Sequence, residues 1–136
     1  MEKRWMQRLS VLAVLAAGST TASAHHSFPA QYDADKSVTL TGTVTDVQWT
    51  NPHIFIFIDV TDDESGEVIN WALELGGPNS LLRLGWKRDS LKPGDVITVD
   101  GSLARDGSNL ANAETIILTA TGQRMLAGSS RDAATQ

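Results

Sequence analysis

From Ser37 onward the chain alternates apolar and hydroxyl-bearing residues, Val38, Leu40 and Val44 against Thr39, Thr41, Thr43 and Thr45. A period of two puts the two sets on opposite faces of an extended chain, which specifies a half-buried strand rather than an amphipathic helix. After Val44 the apolar parity moves to Val47 and Trp49, so one extra residue near Thr45-Asp46 is expected to form a bulge. Gly42, inside the strand, marks a bend or a close approach.

Thr50-Asn51-Pro52 breaks this strand. His53 to Thr61 begins a second, apolar on both parities (Ile54, Ile56, Ile58 and Val60 against Phe55 and Phe57), as a central strand covered on both faces would be. The turn from Asp62 to Gly66 leads to a third strand, Glu67 to Leu75, with Ile69, Trp71, Leu73 and Leu75 inward. Asn79 and Ser80 can cap a short helix through Leu81, Leu82 and Leu84 that stops at Gly85. Lys92-Pro93-Gly94-Asp95 has the centre of a type II turn, and strands follow over Val96 to Leu103 and Ala111 to Thr119. Three strands, a short helix and two strands, the first bent and bulged, predict an all-β fold, a small five-stranded OB-like barrel with one short helix. Residues 25–36 read as an N-terminal arm, 37–127 as the barrel domain and 128–136 as a disordered tail.

Ahead of this domain, Lys3, Arg4 and Arg8 precede an apolar run from Leu9 to Ala17 and a small-residue stretch ending Ala22-Ser23-Ala24. That is the layout of a cleavable signal peptide over residues 1–24. The apolar run is shorter than the roughly 20 residues a membrane anchor needs. The expected location is periplasmic or secreted, with no membrane anchor after cleavage. Removing Lys3, Arg4, Arg8 and Glu2 from 11 basic and 16 acidic residues leaves 8 and 15, a net charge of −7. A chain this acidic is expected not to take nucleic acid or an anionic membrane as a partner, since both call for a basic patch. There are no cysteines, so stability rests on packing even where disulfides could form.

Ala-His-His-Ser-Phe at the cleavage junction, Thr-Gly-Thr-Val at 41–44, Trp-Thr-Asn-Pro-His at 49–53, Asn-Trp-Ala-Leu-Glu-Leu at 70–75, Gly-Trp at 85–86 and Leu-Lys-Pro-Gly-Asp at 91–95 together carry a resemblance. The chain resembles the domain of unknown function 6152 family of small exported bacterial proteins. The resemblance implies export and fold; it implies no activity.

The chemistry-bearing residues are the three histidines, His25, His26 and His53, which fall at the mature start or in the Asn-Pro-His turn. Cleavage after Ala24 would free the His25 amine to chelate a metal together with its own imidazole. His53 could add a third nitrogen in a histidine-brace arrangement, a donor set that suits Cu(II). His26 offers a second route through the amine, the intervening peptide nitrogen and its own imidazole. Cu(I) fits less well, because it prefers soft sulfur ligands and the mature chain has only Met125. Against a metal role, the paired histidines could be merely a polar start and His53 a strand-end residue. Reach is a further objection. A straight strand from Ser37 to Gln48 sets the Asn-Pro-His turn roughly 36 Å from Ser37, which the arm spans only when extended and folded back.

The acidic residues Asp59, Asp62, Asp63, Glu64 and Glu67 lack the spacing of a calcium loop and read as a solvated turn. Trp71 reads as core. No Gly-x-Ser-x-Gly motif or cysteine offers a hydrolytic nucleophile, and no catalytic residue is assigned. Three classes follow: a binding protein for copper or a similar cation, a metal-free OB-like module for a small ligand or protein, and an oxidative copper enzyme.

Overall fold

The computed structural model describes residues 27–129. The expected signal peptide, the cleavage site, His25 and His26, and residues 130–136 of the expected tail lie outside the described residues. The fold is all-β, with six strands and two short helices in the order α1 (Phe28–Gln31), β1 (Tyr32–Gln48), β2 (Phe55–Thr61), β3 (Val68–Glu74), α2 (Pro78–Arg83), β4 (Val96–Ala104), β5 (Leu110–Leu118) and β6 (Gln123–Leu126). Sequence reasoning expected five strands and one helix. β6 was missed because four residues with a single buried side chain, Met125, show no readable alternation. α1 is a single turn with proline near its start and has no periodicity to detect.

β1 extends over 17 residues, and its position explains much of the rest. Residues 37–43 pair with β4 and residues 43–48 with β2, both antiparallel. The register slips between Val44 and Asp46, which is the expected bulge. At the changeover Val44 leaves the β4 ladder and bonds the next turn instead, its N–H donating to Asp95 O and its carbonyl accepting from Gly94. That turn has the expected form, with Gly94 at φ 97° and Asp95 N–H donating to Lys92 O. Gly42 is a close approach, since a Cβ there would sit 2.5 Å from Asp59 O.

β3 also pairs with β5, in parallel, at residues 72–74 with 110–112, so the sheet closes into a ring β1-β2-β3-β5-β4, with β6 added beside β5. Successive partners run from Gln48 to Phe55, Glu74, Asn112, Ser102 and then Ser37. One circuit therefore returns to β1 eleven positions before Gln48. Such a stagger tilts and coils the strands, and it carries the start of β1 around the ring toward the end of β3.

Alternating residues fill the ring: Val44, Ile54, Ile56, Ile58, Leu73, Leu75, Ile97, Val99 and Ile116 are all buried. β2 is buried on one face only, contrary to expectation. Phe55 and Phe57 face outward, partly exposed, and stack on each other with centroids 6.4 Å apart. Trp71 has the expected parity but packs only partly against the core, because β3 gains its β5 neighbour only from Ala72 onward. The N-cap of α2 is Gly77 without a side-chain cap, not Asn79 or Ser80; Pro78 stands in the first turn, where its missing N–H costs nothing. The helix ends at Arg83 with Leu84 as its C-cap, and Gly85, φ 91°, stops it there, with Trp86 N–H returning to Leu81 O. Gly128 and Ser129, read as tail, are seated: Gly128 lies against Leu81 and Leu84, and the buried Ser129 hydroxyl bonds Asn112.

Candidate functional site

His53 sits between a turn and a buried anchor. Thr50 donates its hydroxyl to His53 O at 3.1 Å, and the Asn51–Pro52 bond is cis. On the other side, Ile54 exchanges backbone hydrogen bonds with the segment after β3, donating to Gly76 O and accepting from Leu75 N–H. Its side chain is fully buried. The turn also packs on Gly77, where a Cβ would meet Pro52 O at 2.7 Å.

The imidazole is about one-third exposed, with Nδ1 3.1 Å from Leu75 O and 3.7 Å from Glu74 Oε1. A carbonyl oxygen can only accept, so Nδ1 carries the proton and the neutral ring has its lone pair on Nε2. Glu74 is buried, although it lies on the outward parity of β3 beside the core residues Leu73 and Leu75. Tyr32, which reaches it, belongs to a second small cluster with Phe28 and Ala104, in which the Phe28 and Tyr32 rings lie 5.5 Å apart. Tyr32 donates its hydroxyl to Glu74 Oε2 at 2.6 Å. Burial first, then the hydrogen bond to Glu74 and the charges of Glu74 and Asp106, push the Tyr32 phenol far above its ordinary range.

Tyr32 therefore belongs to β1 and pairs with Ala104, and residues 32–36, read as arm, are strand. The straight-strand distance is not the relevant path. The ring closes, so Tyr32 and His53 approach the two oxygens of one carboxylate from different sides. Sequence reasoning missed Tyr32 and Glu74; the available signals were the only tyrosine in the chain and a charge inside the apolar stretch Trp71-Ala72-Leu73-Glu74-Leu75.

Among the described residues, no three His, Cys, Asp or Glu side chains converge as a metal site. The acidic turn is held by local bonds: Asp62 Oδ1 accepts from Ser65 N–H, Ser65 Oγ and Glu64 N–H at 2.7, 2.8 and 3.1 Å. The Ser65 backbone and hydroxyl bonds hold its carboxyl below the usual range. Arg88 lies over the Trp49 ring, 5.7 Å from its centroid. Among the described residues no helix is long and apolar enough to cross a membrane.

A closed, staggered all-β ring with a His–Glu–Tyr chain on its rim is the frame of an OB-like protein. The chain belongs to the Family of unknown function (DUF6152), which matches residues 13–113, as its motifs implied. No curated protein matches it. Among solved structures it is similar to the mitochondrial single-stranded DNA binding protein of S. cerevisiae. The two are 10% identical with a TM-score of 0.49, over 62% of this chain and 93% of that one. The expectation of no nucleic-acid partner does not stand as an exclusion. Net charge is summed over the whole chain and says nothing about one face of the ring.

Proposed function

We propose that this chain is an exported OB-like barrel protein, processed after Ala24, that binds Cu(II) or a similar cation through the mature N-terminal histidines His25 and His26 together with His53. One observation carries the reading: the start of β1 and the Asn-Pro-His turn meet at Glu74, through Tyr32 Oη on one oxygen and His53 Nδ1 near the other. From Tyr32 back to Ser27 the chain makes one helical turn, a span of about 8 Å at helical rise, and His25 and His26 add at most about 3.6 Å each. A site shared with His53 therefore does not require an arm folded back along the length of a straight strand. The donor chemistry fits as well. Metal-bound imidazoles commonly donate their second nitrogen to a carbonyl or carboxylate, as His53 does, leaving Nε2 for the ion.

The test is Cu(II) titration of the processed protein, whose intact mass should show a start at His25. A Gly added before His25 keeps every imidazole but displaces the amine, so affinity should fall steeply, as it should for His53→Ala, with folding intact. Coordination needs deprotonated nitrogens, so affinity should weaken as the pH falls. A processed protein that binds no more copper than an unrelated control would leave a metal-free OB-like module as the better reading.

A further inference from the structure

We infer that Tyr32 and Glu74 are positioning residues that set which nitrogen His53 presents. The inference rests on the copper reading and deepens it, since it assigns Nε2 as the His53 donor and the carboxylate near Nδ1 as an orienting partner. Glu74 is 5% exposed and Tyr32 1%, yet both are polar, and no buried side-chain polar atom among the described residues is left without a partner. A carboxylate taken out of water persists only where donors are aimed at it. Tyr32 supplies one at Oε2, which leaves Oε1 turned toward His53 Nδ1 at 3.7 Å. Leu75 O, at 3.1 Å, accepts the Nδ1 proton directly, and the nearby carboxylate favours that proton electrostatically.

Geometry on the far side agrees. The ring is partly exposed while its Nδ1 edge faces the protein, so the outward group is Nε2. A proton on Nε2 instead would put the Nδ1 lone pair against both Leu75 O and the Glu74 carboxylate, two repulsive contacts, and a flipped ring would turn Cδ2–H toward them and lose the hydrogen bond. Tyr32→Phe removes only a hydroxyl and keeps the ring packing on Phe28. Glu74→Gln keeps the shape and removes the charge.

The experiment reads His53 directly, by nitrogen-proton correlation spectra of the metal-free full-length mature protein at about pH 8.5, where ordinary imidazoles are neutral. His53→Ala identifies the resonances. Wild type should show the proton on Nδ1. Both Tyr32→Phe and Glu74→Gln should admit the Nε2-protonated form, and each should weaken Cu(II) binding by about tenfold or more, the usual effect of removing an orienting partner. Ile97→Val, a core change on β4, controls for general destabilisation and should alter neither reading. His53 remaining Nδ1-protonated in both variants would overturn the inference, and so would a tautomer shift with unchanged copper affinity. A wild-type protein that takes up no copper would sink the proposed function by itself; the tautomer spectra would still decide whether Tyr32 and Glu74 orient the ring.

Discussion

The β2–β3 hairpin carries acidic side chains in two regions that differ in how they are held. At its turn, Asp62 accepts three hydrogen bonds from residues within three positions of itself. At its open end, Glu74 is held by Tyr32, 42 positions away, and lies beside His53, 21 positions away. The turn is exposed and self-contained, so it would form in almost any hairpin with this local sequence. Glu74 depends on ring closure, since only the staggered circuit brings β1 over the end of β3. Local acids make a turn; a distant partner makes a site.

The largest test strikes the face that both regions share. Ile56→Ala empties a fully buried position between them and should cost about 2 to 5 kcal/mol, read as a lower denaturation midpoint. Wild-type stability in that variant would mean the inward parity of β2 does not carry the core. Next, Tyr32→Phe should cost about 1 to 3 kcal/mol, because it strands a buried acceptor. A cost near zero would mean that Glu74 finds water instead and, like the turn, does not depend on a distant partner.

Gly77→Ala should cost about 1 to 3 kcal/mol, since its methyl must displace Pro52 O. It should also shift the resonances of His53 while leaving those of Asp62 and Ser65 in place. Shifts confined to residue 77 would show that the Asn-Pro-His turn is not braced there.

The two regions also respond to pH in opposite directions. Tyr32 is the only tyrosine, so tyrosinate absorbance reports it alone. Its phenol ionises in the folded chain far above the usual value of about 10. Its contribution to stability is thus complete below that value and is lost as the pH rises toward the folded one. Tyrosinate should therefore appear together with unfolding; a free titration near pH 10 in the folded protein would show the phenol open to water. Asp62 works in the opposite direction and should have the smallest effect. Its lowered carboxyl adds stability above the unfolded value of about 3.9, and that is lost as the pH falls through the folded value. Because the site is exposed, Asp62→Asn should leave the thermal midpoint at neutral pH within measurement error.

Alternation along residues 38–45, the parity change at Asp46, the Pro-Gly turn at 93–94 and the stop at Gly85 were legible because each depends on neighbours a few positions away. The one-sided burial of β2 was not, since an apolar run reads the same whether one face or two are covered. His53 could be picked out by residue type, but its orientation could not.

By itself the sequence determined the strand periodicity, the bulge, the tight turns and the family, all written in short-range pattern and backbone preference. Only the tertiary structure decided that residues 32–36 are strand, that β3 meets β5, that a sixth strand docks, and that Glu74 lies buried beneath Tyr32 and beside His53. Those outcomes depend on contacts between residues tens of positions apart, and no local preference encodes a partner that arrives only when the sheet closes on itself.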